Sequence, residues 1–296
     1  MSISSDGQTA YLADGSNGLV IVNISTPTTP SLTGTYDTAG NSSAVSISGD
    51  GQTAYLADGT SGLVIVDIST PGTPSLIGSY NSAGNSYDLR LSNDEQTVYL
   101  TDWGSGLALV DISTPGTPSL IGSYDSDGSA YKVSISSDEQ TAYLVDYTNG
   151  FALVDISTPG SPSLISHYDT AADTYSPTIS SDGQTAYLAD DTNGLIIVDI
   201  STPETPSLIG SYDTAGDARD VGISSDGQTA YVADYATGLV ILDISNPAAP
   251  SLIGTYNSSG QVFNVIISSD DQTAYLADGS QGLVIVDISN PASPSL

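Results

Sequence analysis

Residues 62–69 read GLVIVDIS, and the same phrase returns along the whole chain. It stands as GLVIVNIS at 18–25, GLALVDIS at 106–113, GFALVDIS at 150–157, GLIIVDIS at 194–201, GLVILDIS at 238–245 and GLVIVDIS at 282–289. Leu19, Leu63, Leu107, Phe151, Leu195, Leu239 and Leu283 hold its second position, each 44 residues after the last, with no insertion or deletion. A short run that is apolar at nearly every position and rich in β-branched residues is a strand buried on both faces. A unit carrying such a strand cannot cover it alone, so neighbouring copies must.

Working outward from 62–69, one period reads as four short strands. VSIS at 45–48 alternates apolar and polar residues; GDGQT then turns the chain, with Asp50 and Gly51 supplying the side-chain acceptor and the left-handed residue of a tight hairpin. TAYLAD at 53–58 is the second strand and LVIVDI at 63–68 the third. Pro71 and Pro74 in STPGTP close the ladder, SLIGSY at 75–80 is the fourth strand, and the polar link NSAGNSYD leads into the next unit. Four antiparallel strands per period of this length predict an all-β β-propeller of four-stranded antiparallel blades. Helical repeats are excluded by the Pro, Gly and β-branched content of every unit. Seven blades are expected in a single domain, at about 1–44, 45–88, 89–132, 133–176, 177–220, 221–264 and 265–296. The seventh lacks most of its outer strand, because Leu296 stands where Leu252 does in the unit before. A bare three-stranded blade and a piece of a longer repeat protein both fit that pattern.

GLVIVDIS followed by TPGTPSLIGSYD resembles the LVIVD repeat of bacterial and archaeal surface proteins. The resemblance spans essentially the whole chain. It implies a propeller and an extracellular or cell-surface location, and it transfers no catalytic residue.

Charge narrows the partners. Thirty-four acidic residues face three basic ones, Arg90, Lys132 and Arg219, for a net charge of −31. Nucleic acid binding draws on Lys and Arg that neutralise phosphates, and anionic lipid repels such a surface. Neither nucleic acid nor membrane insertion is therefore expected, and no apolar run reaches the roughly 18 residues of a membrane span. The absence of cysteine excludes disulfides and thiolate chemistry. No signal peptide is visible at the start, MSISSDGQTAYLAD.

In units this alike, the informative positions are those that vary. After the Asp that closes the second strand, the turn carries Gly15, Gly59, Trp103, Tyr147, Asp191, Tyr235 and Gly279. Two residues before each first strand, the link carries Ser43, Tyr87, Tyr131, Tyr175, Arg219 and Phe263. Usual blade geometry opens both positions on one face, where aromatic side chains beside Asp88, Asp191 and Asp220 suit a glycan or protein ligand. The competing reading is that these side chains pack over the mouth of the channel or over their neighbours. The expected binding set is thus Tyr87, Asp88, Trp103, Tyr131, Tyr147, Tyr175, Arg219, Asp220, Tyr235 and Phe263.

Other candidates read as structural. Asp14, Asp58, Asp102, Asp146, Asp190, Asp234 and Asp278 recur once per unit, each expected to cap its own turn; calcium is the one cofactor such oxygen ligands leave open. His167, the single histidine, replaces an outer-strand Ser or Thr and is expected to be solvated. Asp88 and Asp220 are the only irregular carboxylates at a channel mouth, too far apart in the repeat and too bare of motif to read as a glycosidase pair. The sequence therefore predicts a non-catalytic interaction scaffold with no cofactor. A structural spacer and a glycoside-active enzyme are its alternatives.

Overall fold

The computed structural model describes residues 1–296, which form seven antiparallel sheets with their strands in chain order, a β-propeller. Six sheets have four strands and the seventh has three. The second sheet runs Ala44–Ile47, Thr53–Ala57, Leu63–Asp67, Ser75–Tyr80, within a residue of the sequence expectation. The seventh runs Val262–Ile267, Thr273–Asp278, Gly282–Asp287, and a single bridge between Asp287 and Ser295 begins its outer strand. The only helical turn is Tyr147–Asn149. By contacts the chain divides into two units, Met1–Leu144 with Val154–Ser163 and Val145–Leu153 with Leu164–Leu296.

In each unit the core lies between adjacent sheets. In the first, Leu63 and Ile65 of the second sheet pack with Leu89, Leu100 and Val110 of the third, all buried. In the second, Leu195 and Ile197 of the fifth sheet pack with Val221, Val232 and Leu242 of the sixth. Third strands of the second to sixth sheets are buried along most of their length, as their composition demands, whereas outer strands leave Leu32, Leu76, Leu120, Leu164, Leu208 and Leu252 exposed.

Three recurrent contacts lock one sheet to the next, and none is evident in the strand pattern. Gly in the outer strand admits the loop of the following sheet: a Cβ on Gly122 would lie 2.3 Å from the Pro159 carbonyl oxygen, and on Gly78 2.3 Å from that of Pro115. Ser166 takes this place in the fourth sheet and donates its hydroxyl to the Pro203 carbonyl instead. The second contact revises the expectation for some of the turn carboxylates, while Asp146 and Asp234 do cap their own turns, through Asn149 and through the Ala236 and Thr237 amides. Asp58 is fully buried and accepts from Thr38 Oγ1 at 2.6 Å, Ser42 Oγ at 2.6 Å and the Gly40 amide at 2.9 Å, so it anchors the link arriving from the preceding sheet. Asp102 accepts likewise from the Gly84 amide and Asp190 from Thr174 Oγ1. Asp14 is exposed and accepts from Asn17 within its own turn. Nowhere do three acidic or histidine side chains converge as metal ligands would.

The hairpin turns supply the third contact. In the second sheet Ser48 Oγ donates to Asp50, Asp50 accepts the Gln52 amide, and Gly51 turns left-handed at φ 70°. Where this glycine is replaced, Glu95, Glu139 and Asp271 hold φ of 55°, 56° and 56°. Such non-glycine strain costs on the order of 1 kcal/mol. Each side chain reaches the equivalent turn of the preceding sheet: Glu95 accepts from the Gly49 amide, Glu139 from that of Asn93 and Asp271 from that of Ser225. The added charges therefore serve as inter-sheet acceptors.

Two outcomes follow. Gly122→Val drives a branched side chain into the Pro159 carbonyl, and overpacking of this kind should lower stability by about 1–3 kcal/mol in urea titration; a change below about 0.5 kcal/mol would contradict the close approach. The second concerns acid. Asp50, Asp94, Asp138 and their equivalents are held below the ordinary carboxyl value by the serine hydroxyl first and the glutamine amide second. Asp67, Asp111 and their equivalents are held low by the serine that follows. A depressed folded value means their contribution is complete above the unfolded value of about 3.9 and is lost as pH falls through the folded one. At about 0.5 M salt, where screening acts within a few ångströms, the melting temperature should fall steeply only below about pH 4; a fall beginning near pH 6 would implicate other groups.

Candidate functional site

The variable turn and link positions meet because the repeat sets their separations. A link residue lies 16 residues before the turn of its own unit, and that turn lies 28 before the next link. In the first unit these spacings bring together Tyr87, Trp103 and Tyr131. The Tyr87 ring is 5.1 Å from Trp103 and 5.3 Å from Tyr131, and Trp103 stands edge-on to Tyr131 at 6.3 Å. All three are half-buried. Tilted and edge-to-face packing holds the rings as one amphipathic surface, open to solvent on its outer side.

In the second unit the same positions build a different cluster. The Tyr147 and Tyr175 hydroxyls lie 3.0 Å apart with their rings edge to face. That contact, then burial, pushes the Tyr147 phenol up. Arg219 places its guanidinium 3.9 Å above the Tyr175 ring and 5.1 Å from that of Tyr235, and Tyr235 meets Phe263 edge-on at 5.2 Å. Asp191 and Asp217 each pair with Arg219 Nη2 at 3.3 Å. Burial raises the Asp191 carboxyl, and Arg219 opposes it. With its cation between two rings and two carboxylates, this cluster is paired in charge, although Arg219 Nε is buried without a hydrogen-bond partner, and only Phe263 is well exposed, at 46%.

Two turn geometries position these groups. Gly15, Gly59, Tyr147 and Asp191 have positive φ, and their carbonyls accept from the link that follows, at Ser42, Ser86, Thr174 and Ala218. Trp103, Tyr235 and Gly279 instead donate their amides to the link before, at Asn85, Asp217 and Gln261. Tyr147 at φ 31° is the most unusual, a bulky residue in backbone that favours glycine, steadied by Tyr175.

Asp88 and Asp220 are buried, 4% and 5% exposed, where the expectation put them on the open binding face. Asp88 pairs with Arg90 at 3.0 Å and accepts the Val133 amide of the next sheet. Asp220 accepts from Ser176 Oγ, from Asn264 Nδ2 and from the Val265 amide. Both carboxylates thus cap the open edge of a neighbouring first strand, a duty no sequence motif signals. His167 is exposed in its outer strand. A groove of about 370 Å³ opens in the second unit between Tyr168, Thr170, Asn193, Ile196 and Leu208, and none of the expected binding residues lines it.

Removing the cation tests the second cluster. Arg219→Ala leaves Asp191 partly buried without its partner and should cost about 2 kcal/mol at pH 7. Because the orphaned carboxyl then binds its proton more readily when folded, the deficit should shrink as the pH falls towards 5. A deficit independent of pH in paired melting curves would show that lost packing, not charge, is responsible.

Comparisons with known proteins agree with this architecture. The model of the LVIVD repeat matches seven times, at residues 1–38, 39–82, 83–126, 127–170, 175–214, 215–258 and 259–296. No curated protein matches the chain in sequence. Among solved structures, a proposed 6-phosphogluconolactonase of Bacteroides fragilis superposes with a TM-score of 0.78 at 16% identity, covering 97% of this chain and 92% of that one. The Kuenenia stuttgartiensis hydrazine synthase gives 0.79 at 16% identity over 97% and 94%. The Cps50 (Swd1) β-propeller domain of Myceliophteria thermophila gives 0.78 at 12% over 96% and 94%. At these identities the likeness is one of fold alone.

Proposed function

The chain belongs to the LVIVD repeat family, and from that footing we propose that it is a non-catalytic interaction scaffold that holds a glycan or protein partner, outside the cell or at its surface. The observation that carries this reading is the Tyr87–Trp103–Tyr131 cluster. Three rigid aromatic rings arise at positions where the first units carry Ser43, Gly15 and Gly59, and they stay half-exposed while the surrounding repeat is conserved between units. Aromatic rings offer large contact area at little entropic cost, and a sugar ring or an apolar side chain stacks on them without needing charge. The net charge of −31 disfavours anionic ligands, so a neutral glycan or a neutral to basic protein surface suits the site. The contacts of Asp88 and Asp220 support a scaffold over an enzyme, because backbone amides and neighbouring side chains occupy both carboxylates.

Glycan-array and pull-down binding should fall at least tenfold in a Trp103→Ala, Tyr131→Ala double variant, with Trp103 emission shifting when the wild type binds. Unchanged binding would move the ligand elsewhere, and no binding by the wild type would leave a structural spacer. Turnover of chromogenic glycosides or lactones that disappears in Asp220→Asn would replace the scaffold with an enzyme.

A further inference from the structure

The groove in the second unit opens beside a single departure from the repeat. Where each link passes the next turn carboxylate, the chain carries Gly40, Gly84, Gly128, Gly216 and Gly260, but Ala172 between the fourth sheet and the fifth. A Cβ on Gly40 would lie 2.2 Å from the Asp58 carbonyl oxygen, on Gly84 2.6 Å from Asp102 Oδ1 and on Gly216 2.0 Å from Asp234 Oδ1. Only glycine lets the link lie down there. The Gly40 and Gly84 amides donate to Oδ2 of Asp58 and of Asp102, each at 2.9 Å. Ala172 has no such room. Asp190 Oδ2 accepts from Asn193 Nδ2 at 2.8 Å instead, and the Ala172 carbonyl accepts from Thr170 Oγ1 at 3.1 Å, which turns the link on itself. Residues 171–174 are also those that fall between two matches of the repeat.

The groove of about 370 Å³ beside this link has an apolar side and an acidic rim. Ile196 is half-buried and Leu208 exposed, while Asp169 and Asp213, on the links before and after the fifth sheet, both face solvent. No basic side chain lines it. Arg219, the one Arg or Lys of the second unit, is held by Asp191 and Asp217, so a cation for the groove must come from outside. The volume lies near the lower limit of ligand pockets, room for one side chain rather than a folded surface. The carboxylates do not converge as metal ligands would. An ammonium on a flexible apolar stem suits separated acceptors, with donors in three directions and methylenes to lay on Ile196 and Leu208. A guanidinium fork asks instead for one bidentate carboxylate or a ring face.

We propose that this groove captures one lysine side chain of a partner protein, its stem along Ile196 and Leu208 and its ammonium between Asp169 and Asp213. The net charge of −31 draws basic partners to the surface, and the groove selects the residue. The site is separate from the Tyr87–Trp103–Tyr131 cluster and stands whether or not that cluster binds a ligand.

Nα-acetyl-lysine N-methylamide, titrated at low ionic strength and followed by the methyl NMR signals of Ile196 and Leu208, tests it. Saturable shifts are expected with a dissociation constant on the order of 1 mM, the scale for a ligand of this size. The capped norleucine analogue, which keeps the stem and lacks the ammonium, should bind about tenfold more weakly, as should lysine to an Asp169→Asn, Asp213→Asn double variant. Ala172→Gly restores the residue of the other links, so the link should settle on Asp190 and binding should disappear while the melting temperature holds or rises. Shifts that fail to saturate by about 50 mM, some fifty times the expected constant, would overturn the proposal. So would equal binding of norleucine, or full binding by either variant. Tighter binding of 1,5-diaminopentane than of the capped lysine would replace the protein partner with a free amine.

Discussion

The packing of one apolar third strand between two neighbouring sheets is the constraint on which the rest of the molecule depends. A four-stranded sheet whose third strand is Leu-Val-Ile-Val has no polar face to turn to water, so each sheet is stable only when flanked. Leu63, Ile65 and Val66 are fully buried because a sheet lies on either side of them. The strict period of 44 residues is the covalent expression of the same requirement. An insertion within a strand would shift the register and expose a whole face.

Polar contacts sharpen that packing. Each sheet presents edges and links whose backbone groups would otherwise be buried without partners, and a buried unpaired amide costs about 1–3 kcal/mol. Asp58 satisfies a link, Asp88 and Asp220 satisfy neighbouring first strands, and Glu95, Glu139 and Asp271 satisfy neighbouring turns. Much of the acidity that looks like a featureless surface property is therefore a set of acceptors aimed at particular N–H groups. The glycines of the outer strands play the complementary part, leaving room for a proline carbonyl to approach.

Variation is left to positions outside this framework. The turn and link residues on one side of the units contribute little to the inter-sheet core, so large side chains could accumulate there without disturbing the period. Their effect differs between the two units. Tyr87, Trp103 and Tyr131 form an apolar platform, whereas Tyr175, Arg219 and Tyr235 close around a cation already neutralised by Asp191 and Asp217. A set that reads as one kind of residue in one kind of place becomes a surface suited to a ligand and a cluster suited to itself.

The residue pattern by itself determined the strands, their order, the number of sheets and the stunted seventh, because periodicity, turn chemistry and the burial of an all-apolar strand are local or nearest-neighbour matters. It also singled out Trp103, Tyr131, Arg219 and their companions, since departures from a near-identical repeat are visible without coordinates. Only the tertiary structure decided what those residues touch. Residues 16, 28 and 44 apart become neighbours through the stacking of sheets, and no single-strand rule encodes that. For the same reason Asp58 proved to be a clasp on the preceding link rather than a cap on its own turn, and Asp88 and Asp220 proved to be buried braces. The direction of a carboxylate is set by which unpaired amide lies nearest in space, and that amide belongs to another unit.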